Sequence, residues 1–171
     1  MSAVLDPRDV EYYPIHTFNF FVQFVTDSTK GDAPGHGQSI CSGAFSECTG
    51  LEATMEPKVI KEGGRNYGAI QRPGPVTFGT VILKRGITRS RDLWYWFDLV
   101  NGQGKYAYRL SALIALYDVE SEPIVYWRLA RALPIKFKAA DLNARATDVG
   151  VEELHLAHEG ISLDFARDGG S

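Results

Sequence analysis

Cysteine is scarce in this chain: Cys41 and Cys48 are the only two among 171 residues. Two are too few for a disulfide scaffold. A surplus of one charge sign is also missing, with 18 Lys+Arg against 21 Asp+Glu and a net charge of −3. Nucleic-acid binders usually carry a clear basic excess, so the balance gives no global drive toward DNA or RNA. Long hydrophobic runs are absent too. Residues 93–100 and 110–117 are the longest, far short of a bilayer span and interrupted by Asp98 and Ser111. The first residues hold no apolar stretch of the signal-peptide kind, so the sequence predicts cytoplasmic synthesis and no membrane anchoring. Neither a phosphate-binding glycine loop nor a Gly-x-Ser-x-Gly nucleophile turn occurs.

The remaining candidates for chemistry are weak. His155 and His158 stand three apart, beside Glu159, in the wrong order for a zinc motif. On the strand expected there they point to opposite faces. Cys41 and Cys48, near Asp32 and His36, lack the Cys-x-x-Cys spacing of a metal site, and Cys48 reads as a reduced core residue. Lys84, Arg85, Arg89 and Arg91, followed by Trp94, Tyr95 and Trp96, are the best candidate for a nucleic-acid patch. The whole-chain charge favours the other reading, a core Trp96 with arginines meeting acidic groups of a neighbouring subunit. The sequence therefore assigns no catalytic residue, no metal and no cofactor, and predicts that the chain is not an enzyme.

What is present is a series of strand signals in a length suited to one domain. Phe18, Phe20, Val22 and Phe24 alternate with Thr17, Asn19, Phe21 and Gln23. Further strands are expected over residues 44–48, 51–61, 76–84, 106–118, 124–131, 133–139 and 149–158. Leu133, Ile135, Phe137 and Ala139 alternate with Pro134, Lys136, Lys138 and Ala140, which puts the lysines on a non-core face. In the last strand Val149 and Val151 share one parity, but Leu154 and Leu156 share the other. A bulge near Glu152 and Glu153 would bring both pairs inward. Residues 27–43 read as a long flexible loop, and residues 62–75 as a turn-rich excursion. One helix of about 10–12 residues is expected. Leu93, Trp96, Phe97 and Val100 occupy one face, Ser90 is the N-cap, and Asn101-Gly102 is the stop. The fold class is mainly β, a single-domain barrel or sandwich with one flanking α-helix.

Several motifs, in order, resemble those of contractile phage tail-tube proteins. They begin with Gly43-Ala-Phe-Ser-Glu-Cys-Thr-Gly-Leu-Glu, in which Cys48 and Thr49 stand where the family usually has Val and Ser. Lys61-Glu-Gly-Gly64, Pro73-Gly74 and Leu83-Lys-Arg-Gly-Ile-Thr88 follow. Val125-Tyr-Trp-Arg-Leu129, Ala132-Leu-Pro-Ile-Lys136, Asp141-Leu-Asn-Ala144 and residues 151–160 complete the series. The resemblance covers roughly residues 15–163. It implies an inner-tube or tube-initiator subunit of a contractile injection system or phage tail, made in the bacterial cytoplasm. It also implies homo-hexameric rings stacked around a channel that can hold cargo, with sheath, spike and baseplate proteins as partners. The division expected is an arm over 1–14, the tube domain over 15–163 and a tail over 164–171. Within the domain lie a loop insertion at 27–43 and a ring-stacking excursion at 57–75. A ring would satisfy strand edges otherwise open to aggregation. The mixed charges Glu56, Lys58, Lys61, Glu62, Arg65 and Arg72, with Lys84 and Arg85, are the candidate ring and stacking contacts. A small-molecule-binding barrel is the alternative, and needs an apolar interior pocket.

Overall fold

The computed structural model describes residues 16–26, 39–43, 45–61, 63–64, 67–145 and 147–165, with residues 39–43 described by their backbone alone. The strands are β1 (Phe20–Thr26), β2 (Ser39–Gly43), β3 (Glu47–Thr49), β4 (Ala53–Met55), β5 (Lys58–Ile60) and β6 (Ile70–Arg72). After them come β7 (Val76–Phe78), β8 (Val81–Gly86), β9 (Leu110–Tyr117), β10 (Pro123–Lys138), β11 (Val151–Ala157) and β12 (Gly160–Phe165). Helix α1 (Asp92–Phe97) runs on as a π-helical segment, Asp98–Gly102.

Two antiparallel sheets make the body. One has the order β2-β1-β9-β10-β12, the other β10-β11-β8-β3. β10 belongs to both. Its first part pairs with β9 and β12, and Leu133–Lys138 pairs with β11. Strands that switch sheets in this way form the corners of a β-sandwich. The hydrogen-bonded path is open, ending at β2 and β3. Val22 and Phe24 of β1, Val81 and Leu83 of β8, Ile114 of β9, Leu129 of β10 and Leu154 and Leu156 of β11 meet in one buried cluster. Leu93, Trp96 and Val100 close it from the helix, with Phe97 half-buried. Trp96 is fully buried and its ring packs 5.0 Å from that of Phe24.

Several expectations are revised. β10 is one strand, and its inward parity changes twice. Val125 and Leu129 face in, a register shift follows between Leu129 and Ala132, and Ala132 and Pro134 then face in. A second shift, between Pro134 and Lys136, leaves Ile135 47% exposed. The alternation read over residues 133–139 thus fails at Ile135. The bulge expected near Glu152 and Glu153 is absent: β11 pairs with β8 without interruption from Val151 to Leu156. Leu154 and Leu156 take the core, and Val149 and Val151 are left exposed. Leucine burial outweighs valine burial here because it removes more apolar surface from water.

The loop expected over 27–43 ends in β2, which pairs with β1. The arm over 1–14, residues 27–38 and the end of the tail lie outside the described residues. The segment expected as one strand over 76–84 divides at Gly79, whose N–H donates to the carbonyl of Glu52. The segment over 51–61 divides into β4 and β5, and β12 appears where no strand was expected. Ser90 is not the N-cap. The helix begins after Arg91 without a side-chain cap, and Asp92 supplies the negative charge of the first turn. At the other end Asn101 Nδ2 donates to the carbonyl of Phe97 at 3.1 Å and to that of Pro134 at 3.0 Å, tying the helix to β10.

Candidate assembly surfaces

The eight charged residues expected at a ring or stacking contact separate into three places. Glu56, Lys58, Lys61 and Arg72 are exposed on one hairpin-like arm. Glu62 and Arg65 belong to the same stretch of sequence and lie outside the described residues. Lys84 and Arg85 are on β8, in the body.

The arm leaves the body between Gly50 and Thr80. Ala53, Thr54 and Met55 pair with Phe78, Thr77 and Val76, and Lys58, Val59 and Ile60 pair with Arg72, Gln71 and Ile70. Two glycines let its strands approach. Gly50 has φ +84°, and a Cβ there would lie 2.0 Å from the Thr80 carbonyl oxygen. At Gly74 a Cβ would lie 1.8 Å from that of Glu56. Little of the arm is buried. Met55, Val59, Val76 and Tyr67 are 45%, 55%, 52% and 95% exposed. Ala53, Met55, Val76 and Phe78 occupy matching positions of one ribbon face, and a two-stranded ribbon on its own is marginal in water.

Arg85 is internal. It is 4% exposed, and its guanidinium holds Asp92 through a fork at 2.5 and 3.2 Å. Its Nε donates to Glu152 at 2.5 Å, and the Phe45 ring lies 5.8 Å away. Burial works against the charge, yet the hydrogen bonds and charges of Asp92 and Glu152 raise the pKa further above its ordinary value. Arg85 therefore pins the helix start to β8 and β11, and its charge is satisfied within the chain. The basic-aromatic cluster falls apart likewise. Arg85 and Trp96 are buried, while Arg89, Arg91, Trp94 and Tyr95 are exposed.

Lys84 belongs to a row across the outer face of the four-stranded sheet. The register places Lys138 of β10 beside Glu153 of β11, Glu153 beside Lys84, and Lys84 beside Glu47 of β3. Lys84 Nζ lies 2.9 Å from Glu47 Oε1, and that hydrogen bond holds the lysine's pKa above its usual value. Glu153 accepts from His155 at 3.3 Å. This bond first, then the charges of Lys138 and Lys84, outweighs partial desolvation and lowers its pKa. The row borders an open groove of about 740 Å³ that also meets Asp141, Asn143 and Asp148. Of this row, sequence reading singled out Lys84 and Lys138 but did not connect Glu47 and Glu153 with them. A signed residue on a strand has meaning only beside its cross-strand neighbours.

The cleft between the sheets is small, about 300 Å³, lined by Phe20, Cys48, Leu51, Ile114, Leu116 and Trp127 among others. That is the low end for small-molecule sites. Burial pushes the Cys48 thiol up to about 11, so it stays protonated at neutral pH. Among the described residues no three His, Cys, Asp or Glu side chains gather as a metal site, and no helix is long and apolar enough to cross a membrane. His158 turns Nδ1 to the Gly160 carbonyl at 2.9 Å, while His155 faces Glu153.

Residues 16–162 match the family described as the T4-like virus tail tube protein gp19. No curated protein sequence matches the chain. Among solved structures, a chain of the 6-fold symmetrised baseplate of the anti-feeding prophage is 25% identical, with a TM-score of 0.74. The similarity covers 90% of this chain and 97% of that one. A chain of the sheath-tube complex of an extracellular contractile injection system (PVC, extended state) is 18% identical, covering 91% and 94% with a TM-score of 0.73. A chain of the tube-terminating cap of the anti-feeding prophage is 20% identical, covering 97% and 100% with a TM-score of 0.72. The last two show a shared fold.

Proposed function

Since this chain belongs to the T4-like virus tail tube protein gp19 family, we propose that it builds tube rings: six copies close around a channel, and rings stack through the arm. Its role as a structural tube subunit of a phage tail-like particle follows from the family and from the fold shared with injection-system tube and baseplate chains. The observation that carries the stacking role is the arm itself. It exposes Met55, Val59, Val76 and Tyr67 on a ribbon that the body does not cover. Covering those side chains with a neighbouring ring would remove them from water, and Glu56, Lys58, Lys61 and Arg72 around them would fix the register. Glu62 and Arg65 extend the same charge pattern in the sequence. Sheath and spike proteins would meet such a tube from outside and at its end, and cargo would occupy the channel. The particle assembles in the bacterial cytoplasm on this reading, and the chain performs no catalysis.

Mass photometry and negative-stain microscopy of the purified chain test the reading. Six-subunit rings that stack into short tubes at high concentration are expected. A chain that stays monomeric at every concentration, and enters no tube when its particle partners are present, would refute it.

A further inference from the structure

Asparagine stands at positions 19, 66, 101 and 143, and only Asn101 is followed by glycine. That dipeptide is the one most prone to lose its side-chain amide, because glycine has no Cβ to shield its backbone nitrogen. Both residues are exposed, and the fold holds both in place. Asn101 Nδ2 donates to the Phe97 carbonyl at 3.1 Å and to the Pro134 carbonyl at 3.0 Å. The second bond reaches β10 where its register against β11 shifts. A hydroxyl has one proton to give and a carboxylate none, so neither replaces the amide. At Gly102 a Cβ would lie 2.3 Å from Asp98 Oδ1. Asp98 is itself engaged: its carbonyl accepts from the Gln103 N–H at 2.8 Å, and its Oδ2 from Gln103 Nε2 at 3.2 Å. A side chain at position 102 would therefore push Asp98 off the helix end.

From this we infer that Asn101-Gly102 is a self-modification site, at which the amide tying the helix to β10 is converted to a carboxylate. The Gly102 nitrogen gives up its proton and bonds to Asn101 Cγ. The Cγ–Nδ2 bond breaks, and the amide nitrogen leaves as ammonia after taking a proton from solvent. Water then opens the cyclic imide to aspartate or isoaspartate. Water is the only co-reactant, and nothing is oxidised or reduced. The fold gates the reaction. Asn101 lies within the π-helical segment, and ring closure needs its ψ to leave the helical range. The last turn must therefore open first, a local event at a helix end. Once formed, the carboxylate has no proton for the Phe97 and Pro134 carbonyls. It also puts negative charge at the C-terminal end of the helix, within one turn of Asp98, where the helix dipole disfavours it. The product cannot restore the tie, so the helix that carries Trp96 and Val100 into the core is loosened at one end. The reaction needs the folded chain alone and does not rest on the ring reading.

Peptide mapping by mass spectrometry tests this on the full, unsubstituted chain. The tryptic peptide 92–105 holds Asn101 as its only asparagine. On storage of the folded protein in mildly alkaline buffer, this peptide is expected to gain the mass of an amide-to-acid conversion, with isoaspartate among the products. The rate should rise with pH, because the attacking nitrogen must lose its proton. In urea that unfolds the chain, the same conversion should run roughly tenfold faster or more, since the opening step is then removed. No conversion in the folded chain over the time in which the unfolded chain converts fully would overturn the inference. Equal rates in the two states would overturn the gate. Asn101→Asp reproduces the product directly. It should lower the Tm by about 4–8 °C, as loss of two hydrogen bonds does in a domain of this size. Asn143→Asp, on an exposed loop, should leave the Tm within about 2 °C. Equal Tm values for the two variants would show that the Asn101 amide ties nothing.

Discussion

The body and the arm of this protein use the same kind of strand to opposite ends. In the body, β1 and β8 alternate buried and half-buried positions, and their inward side chains reach complete burial at Val22, Phe24, Val81 and Leu83. In the arm, β4 to β7 are three residues each and no residue is fully covered. The body is held by its own apolar surface, and Arg85 locks the helix to it. The arm is held by ribbon hydrogen bonds and two close glycine approaches, with its apolar side chains outward. The difference teaches where the folding unit ends and the assembling surface begins.

Substitutions in the two regions should separate stability from assembly. The largest effect is expected from Trp96→Ala, which empties the centre of the core and should cost about 3–5 kcal/mol in chemical denaturation. An unchanged midpoint would show that the helix face does not hold the body together. Arg85→Met should come next. It leaves Asp92 and Glu152 largely buried without their cation, at a cost of about 3 kcal/mol. Its rings, where the protein is folded, should be normal, because the guanidinium serves the interior. Normal stability with lost rings would assign Arg85 to the interface instead. The smallest stability effect is expected in the arm. Met55→Glu with Val76→Lys, opposite charges on directly paired positions, should change the free energy of unfolding by no more than about 0.5 kcal/mol for each exposed site. The same pair should shorten or abolish stacks seen by microscopy. Full-length stacks from this variant would remove the arm from the stacking contact.

Legibility in the sequence followed burial. The helix face, with Leu93, Trp96 and Val100, and the alternation of β1 were readable because a core on one side imposes a period. The arm gave no such period, since neither of its faces is covered by the body. A single strand was therefore expected over 76–84, where a break in the ladder at Gly79 separates β7, paired with β4, from β8, paired with β3. β10 misled for a related reason. Its two register shifts change the inward parity at the corner, and a strict two-residue alternation cannot describe that. Arg85 was expected to meet acidic groups of a neighbouring subunit, because nothing local shows that Asp92 and Glu152 reach it from two other elements of its own chain.

By itself the sequence determined the class of fold, the helix face that enters the core and, through ordered motifs, the resemblance to tail-tube proteins. These depend on local periods and on spacing along the chain. Only the tertiary structure decided which charges meet. Glu47, Lys84, Glu153 and Lys138 lie on four strands, and Glu47 and Lys138 are 91 residues apart in the chain (138 − 47). Their alternation exists only once the sheet register has aligned them, because a cross-strand neighbour is set by hydrogen bonding between strands and not by sequence distance.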